Sequence, residues 1–340
     1  MASPVTQPTI AIQQVQQILQ GVRQRGLDEA SLLQRAGISP RLLDSPLSRV
    51  TLAQYVSLTF VLRRVTRDEL WGLCSRPLKV GAFAQACQLL IHSPTLGHAL
   101  RTGSQFFHLL LDDFAPRLQV AQGLATYQLV SAGPRKLGQS YAERVFLFFT
   151  HGLANWLVGR RVPLTEVIYP AQDRHHSTDA GLLFLAPLHY VGDSAAFRFE
   201  ARWLDLPVVQ NRQSLQEFLA QAPANLLVKY RDQASVTERI RRLLRRHLAD
   251  ELPSLESVSA TLAMTPQTLR RRLAEEGQGY QAIKDDLRRD AAIDYLARHE
   301  WTLVDIASRL GYADASTFHR AFKGWTGRAP GEYRQLHMQP

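Results

Sequence analysis

Two sets of donor-rich side chains lie in the last hundred residues of this chain. Gln267, Arg270 and Arg271 are spaced three and four apart; Ser316, His319, Arg320 and Lys323 follow the same rhythm. On a helix, each set shares one face. An arginine there can give two bonds to the O6 and N7 of a guanine, while serine and neutral histidine read several bases less strictly. The remaining donors suit phosphate oxygens. The chemistry on offer is contact with a duplex, not bond-making.

Those faces need elements to hold them, and a repeat supplies them. Val258–Leu273 contains a short helical pattern, a tight turn and a second helical pattern; Ile306–Phe322 repeats it with one extra residue in the turn. Thr265 is placed to cap the first reading helix, with Pro266 at its first position, and Asp314 to cap the second. Leu269 and Leu273, then Phe318 and Phe322, recur four apart and should face a core. Each unit is a predicted helix-turn-helix, at about 255–276 and 303–325. Between them Tyr280–Arg298 reads as a helix of roughly 19 residues, about 28 Å long at ~1.5 Å per residue. Successive major-groove faces on one side of B-DNA lie ~34 Å apart. A rigid rod of this length could hold both reading helices at about that spacing.

Bulk properties agree with a polyanionic partner. The 340 residues carry a formal charge of +10 and a pI near 9.9. The excess does not mark the DNA-reading part: from Asp232 onward there are 17 basic and 15 acidic residues, against 23 and 15 before it. Local clustering has to locate the interface. The length predicts two domains. Before residue 223 helical and strand patterns mix. Arg117–Ala121 and Leu124–Val130 form a predicted hairpin at Gln122-Gly123, Gln139–Gly159 a long buried helix, and Leu164–Tyr169, Leu188–Val191 and Ala195–Phe199 short strands. After Pro223 the period is helical almost throughout. The expected architecture is an α+β N-terminal domain with a small antiparallel sheet, residues 1–230, and an all-α C-terminal domain, residues 231–340, with two helix-turn-helix units.

Other chemistries find little support. No phosphate-binding loop, dinucleotide fingerprint or nucleophile elbow is present, so no cofactor is expected. Asp173, His175, His176 and Asp179 share a polar stretch but lack a ligand spacing, and no metal is expected. Asp285 and Asp286 suit ion pairs with Arg288 or Arg289 better than acid–base work. Cys74 and Cys87 read as two buried thiols. No apolar run approaches the ~18 residues that span a bilayer, and the first residues lack the pattern of a secretory leader. A cytoplasmic protein is expected, with no membrane partner.

The stretch Gly311-Tyr-Ala-Asp-Ala-Ser-Thr-Phe-His-Arg-Ala-Phe-Lys-Gly-Trp-Thr-Gly-Arg-Ala-Pro-Gly-Glu-Tyr-Arg334 resembles the signature of the AraC/XylS family of bacterial transcription regulators, over Ser235–Arg334. The resemblance implies that Gln267, Arg270 and Arg271 face bases in the first unit, and Ser316, Thr317, His319 and Arg320 in the second. Ala315 is small where relatives often carry a polar residue. Gly327, Pro330 and Tyr333 match as structural positions. Leu70–Phe83, His92–Arg101, Phe184–Leu188 and Phe197–Pro207 resemble the "arabinose-binding" N-terminal domain of a subgroup that includes ornithine-utilisation regulators. That label does not fix the ligand. The resemblance implies a small-molecule effector, a homodimer, RNA polymerase as partner, and association with the nucleoid when bound to DNA. The function implied is that of an effector-responsive, sequence-specific regulator, an activator. The alternative is a DNA-tethered enzyme whose N-terminal domain acts on a small metabolite. Phe106, Phe107 and His108 are candidate walls of an effector pocket and Arg76 a candidate carboxylate contact; the aromatic residues equally suit a packed core.

Overall fold

The structure, a computed structural model, describes residues 9–175, 184, 186–222, 226, 236–250, 252–276, 278–298 and 300–338. The chain divides into two compact units. One combines residues 1–16, 30–58 and 231–340; the other combines 17–29 and 59–230.

The second unit is built on a five-stranded sheet. Its strands are β3 (Phe114–Ala121), β4 (Leu124–Ser131), β5 (Glu166–Tyr169), β6 (Leu188–Tyr190) and β7 (Ala195–Glu200), in the order β3-β4-β7-β5-β6. In β4 the alternation is clean: Ala125, Tyr127 and Leu129 are buried while Thr126 and Gln128 are half-buried. One face is therefore covered, as period-two patterning requires. The predicted hairpin is present, with Ala121 opposite Leu124. Gln122 and Gly123 both have positive φ, 50° and 77°, the backbone of a two-residue turn that follows the strand twist. The sheet is antiparallel except for β5 and β6, which run parallel. That pairing needs a crossover of about a dozen residues or more, and the long 170–187 connection meets the requirement.

Helices lie against this sheet: α5 (Ala82–Leu90), α6 (Leu96–His108), α7 (Gln139–Leu157) and α8 (Arg212–Gln221), of which α6 and α7 pack on the strands and α5 packs on α6 and α8. Cys87 and Leu90 from α5, Ala99 from α6, Leu153 and Trp156 from α7, and Phe218 from α8 form one apolar cluster. Trp156 stacks on Phe218 at 4.3 Å. Thr95 caps α6 by accepting from the His98 amide, and Asn211 caps α8 by accepting from the Ser214 amide. Both cysteines are buried free thiols.

The first unit holds the helical C-terminal part. Its elements there are α9 (Val236–Arg245), α10 (Leu255–Thr261), α11 (Pro266–Glu275), α12 (Tyr280–Ala297), α13 (Leu303–Arg309), α14 (Ala315–Thr326) and α15 (Pro330–Met338). It also holds a small ribbon from the start of the chain, β1 (Thr9–Ala11) paired antiparallel with β2 (Arg49–Thr51). Compactness thus does not follow a single cut at residue 230. The ribbon and the residues leading into it are tied to the C-terminal helices by specific bonds: Thr9 Oγ1 donates to Asp290 Oδ1 at 2.5 Å, and Ser45 Oγ, ahead of β2, to the Thr326 carbonyl at 3.4 Å. Two helices near the chain start, α1 (Ile12–Ile18) and α4 (Leu52–Thr66), each run from the first unit into the second.

Candidate nucleic-acid interface and effector cavities

Each helix-turn-helix forms from local signals. Ser254 opens α10 by accepting from the Ser257 amide. Leu262 ends it, and Ala263 takes a left-handed φ of 54°. The Met264 amide then reaches back to the Ser259 carbonyl at 2.9 Å. The second helix-turn-helix repeats the geometry: Gly311 has φ 70°, and the Tyr312 amide donates to the Ala307 carbonyl at 3.0 Å. This is the left-handed helix stop that turns the chain into the next helix. In the second copy glycine is sterically required, because a Cβ on Gly311 would lie 2.4 Å from the Asp250 carbonyl oxygen.

The reading helices are capped where the sequence predicts. Thr265 accepts from the Thr268 amide at 3.1 Å, with Pro266 following. Asp314 accepts from the Thr317 amide at 2.7 Å and from the Thr317 hydroxyl at 2.9 Å. Those bonds, the amide's first, hold the Asp314 carboxyl below the usual carboxylate range. Inward, Leu269, Leu273, Phe318 and Phe322 are buried, at 1% exposure or less. Outward, Gln267, Arg270 and Arg271 on α11 are exposed, as are Ser316, His319, Arg320 and Lys323 on α14; Thr317 is half-buried. The anchoring pairs and the donor faces therefore lie on opposite sides of each helix. Arg272, not singled out from the sequence, is exposed as well. Arg270 lies 3.5 Å from Glu256 of α10, a solvent-exposed pair of the kind worth little.

The connecting helix is α12, eighteen residues and so about 27 Å long. It buries Ile283, Leu287, Ala291 and Leu296 and packs on α9, α13, α14 and α15. Asp286 bridges Arg289 at 2.8 Å and Arg241 of α9 at 3.4 Å, the ion-pair role expected of it, while Asp285 accepts from Gln281 Nε2 at 3.0 Å. Arg288 instead lies over the Tyr312 ring and donates to the Leu310 carbonyl at 3.2 Å. The Val236 and Thr237 amides that open α9 both donate to the Glu276 carboxylate, at 2.9 and 2.8 Å. Charged side chains thus tie the second helix-turn-helix to the rod directly, and the first to it by way of α9.

Described residues of the β-sheet unit line two cavities of note. One, of about 380 Å³, is apolar; Phe60, Trp71, Phe83, Phe107, Phe146 and Phe149 line it, and Arg63 and Glu69 are its charged wall residues. Glu69 accepts from the Gly81 and Phe83 amides, each at 2.8 Å. Of the sequence-predicted effector residues, only Phe107 lines this space. Phe106 is half-buried and packs edge-on against Phe107 at 5.3 Å. His108 and Arg76 are exposed, and Arg76 lies 3.7 Å from Asp112; neither lines this cavity. The second cavity, about 880 Å³, is polar and open; Gln17, Ser131, Arg135, Tyr141, Arg144 and Asp173 are among its walls. Nothing in the spacing of these residues announces it, since they come from α1, β4, α7 and the turn after β5. Among the described residues, no group of three or more histidine, cysteine and acidic side chains is placed to hold a metal ion. His176 and Asp179 lie outside the described residues. Among the same residues, no helix is long and apolar enough to cross a membrane.

Comparison with known proteins places both parts. Residues 26–208 match the family model described as the arabinose-binding domain of AraC transcription regulator, N-terminal, and residues 258–336 match a helix-turn-helix domain. The chain belongs to the AraC family of transcription regulators. It is 26% identical over 337 residues to the ornithine utilization regulator of Pseudomonas aeruginosa, covering 97% of each chain. The regulator VqsM of the same organism is 30% identical over 188 residues, 54% of this chain and 57% of that one. Among solved structures, the transcriptional regulator CdpR of Pseudomonas aeruginosa aligns over 95% of this chain and 96% of its own, with 24% identity and a TM-score of 0.30. This AraC-family protein therefore joins an effector-binding domain to a helix-turn-helix DNA-binding domain.

Proposed function

We propose that this regulator reads two successive major grooves of one duplex without needing a second chain to do so. Gln267, Arg270 and Arg271 of α11 are the first reading set; Ser316, Thr317, His319 and Arg320 of α14 are the second, and Lys323 contacts phosphate. The observation that carries this reading is the shared build of the two units. Each has a left-handed stop, a capped reading helix, a buried pair four apart, and donors on the opposite face. The long, buried α12 between them supports a fixed spacing.

On this reading a small molecule binds the second unit and changes the DNA-bound state. The protein acts in the cytoplasm as an activator, works with RNA polymerase and pairs with a second copy. It binds its effector without turning it over; the lack of any catalytic motif in the sequence supports that. The direct test is a gel-shift of the full chain on the DNA beside its own gene. Binding should exceed that to a shuffled duplex by about a thousandfold or more and should weaken steeply with salt. Equal affinity for both duplexes overturns the proposal.

A further inference from the structure

Two charged side chains of the second unit are buried without their full set of partners. Arg144, on α7, is 7% exposed. Its Nη2 donates to Gln17 Oε1 at 2.7 Å, but its Nη1 meets no acceptor. The guanidinium lies over the rings of Tyr141 and Tyr169, at 5.5 and 5.8 Å. Asp173 lies in the short turn of helix Ala171–His175 that follows β5, is 4% exposed, and has an Oδ2 with no donor. Among the described residues, no ion pair within 4.0 Å joins Arg144 to Asp173. Both residues line the 880 Å³ polar cavity. The cavity's other cations are already engaged: the half-buried Arg135 pairs with the Glu143 carboxylate at 3.2 Å and donates to the Asp193 carbonyl, and the exposed Lys136 lies 3.8 Å from Asp113.

A buried ion lacking part of its hydrogen-bonding set is costly, and an orphaned polar atom points to a missing ligand or water. The signs here choose the ligand. A simple anion would gain Arg144 but meet Asp173; a simple amine would gain Asp173 but meet Arg144. A molecule that carries both a carboxylate and an ammonium satisfies both. The cavity volume lies in the usual range for small-molecule sites, roughly 300–1,000 Å³, and leaves room for a side chain.

We propose that this cavity binds a zwitterionic α-amino acid or close analogue, its carboxylate accepting from Arg144 Nη1 and its ammonium donating to Asp173 Oδ2. The inference rests on the reading of this unit as the effector domain, and gives the effector its chemical class and position. The guanidinium that takes the ligand also holds Gln17 on α1.

The test is calorimetry on the full-length protein. The probes are the twenty standard amino acids and two shorter diamino acids, each with its decarboxylated amine and its deaminated acid. At least one amino acid should bind at one per chain, and its amine and its acid should each bind at least about tenfold more weakly, the loss of one charged hydrogen bond. Asp173→Asn should bring the amino acid and its deaminated acid to near-equal affinity. Arg144→Gln should do the same for the amino acid and its amine. Circular dichroism checks that each variant is folded; if Arg144→Gln is not, the Asp173→Asn ratio decides alone. No binding by any amino acid overturns the proposal, as does a tight-binding amino acid whose affinity and selectivity survive Asp173→Asn. Water as the only occupant would give the first of these results. The same preparation is run on its DNA site without ligand: intact specific DNA binding with no amino acid binding sinks this inference alone, whereas lost DNA specificity sinks the reading beneath it.

Discussion

The phenol of Tyr333 is bonded to both backbone polar groups of Arg49: it accepts from the amide at 3.1 Å and donates to the carbonyl. Residue 333 sits on the last helix and residue 49 on a strand near the chain start, so one fully buried hydroxyl closes a loop of most of the protein. The Arg49 side chain continues the link, donating to the Thr9 hydroxyl at 2.7 Å and the Thr9 carbonyl at 2.8 Å. The C-terminal helices thus share one compact unit with residues 9 and 49 from the start of the chain.

Replacing this tyrosine tests that seam. Tyr333→Phe keeps the ring, which packs edge-on against Phe322 at 5.2 Å, and strips two bonds from buried backbone. A loss of about 1–3 kcal/mol is expected, the cost of leaving such groups unsatisfied. Urea unfolding measures it, and hydrogen exchange should show the Arg49 amide losing protection first.

The two helix stops should respond in opposite ways to a single methyl. Gly311→Ala adds a Cβ at a left-handed residue and only 2.4 Å from the Asp250 carbonyl oxygen, and should cost at least about 2 kcal/mol. Ala263→Gly relieves a left-handed alanine at the equivalent place, and should leave stability unchanged or raise it by up to about 1 kcal/mol. Paired thermal melts of the two variants against the parent protein check both signs.

DNA binding should separate readers from anchors. Arg271→Ala and Arg320→Ala are each expected to cost about 1–3 kcal/mol on the specific duplex and to relax preference at one base position. Lys323→Ala should weaken all duplexes alike and reduce the salt slope by about 1. Titrations on specific and shuffled DNA at several salt concentrations distinguish the two behaviours. An arginine variant with unchanged affinity removes that residue from the reading set.

His151 gives the effector unit a pH dependence. It is buried on α7, its Nε2 is 3.0 Å from the Val162 carbonyl, and burial pushes its pKa down to about 4. The unfolded chain binds a proton near pH 6.5 that the folded one refuses. Its stabilising effect is therefore complete above pH 6.5 and is lost as the pH falls from there towards 4. The slope should approach about 1.4 kcal/mol per pH unit. Denaturation at pH 7.5, 6 and 5 should show the decline, and His151→Asn should flatten it.

Much of this was legible from residues alone because the signals are local. Thr265-Pro266 and Asp314 announce two helix starts, and the spacing of Leu269 with Leu273 and of Phe318 with Phe322 tells which face turns inward. The Gln122-Gly123 hairpin was readable for the same reason. What escaped was non-local. No periodicity near residues 9 and 49 says that they will meet Asp290 and Tyr333. The parallel pairing of β5 with β6 depends on a crossover path rather than on strand composition. The polar cavity was hidden because Gln17, Arg144 and Asp173 look like ordinary polar residues until the fold buries them together. Arg76 and His108 have side chains of a type that suits a ligand, yet both face solvent.

The central claim is that two reading helices on one stiff rod address neighbouring grooves of one duplex. Methylation-interference footprinting of the full-length protein on its specific site tests it most directly. Two guanine-contact patches, on one face and about 10 base pairs apart, are expected; Arg271→Ala should erase one and Arg320→Ala the other. A single patch, or loss of both patches with either substitution alone, would contradict the account.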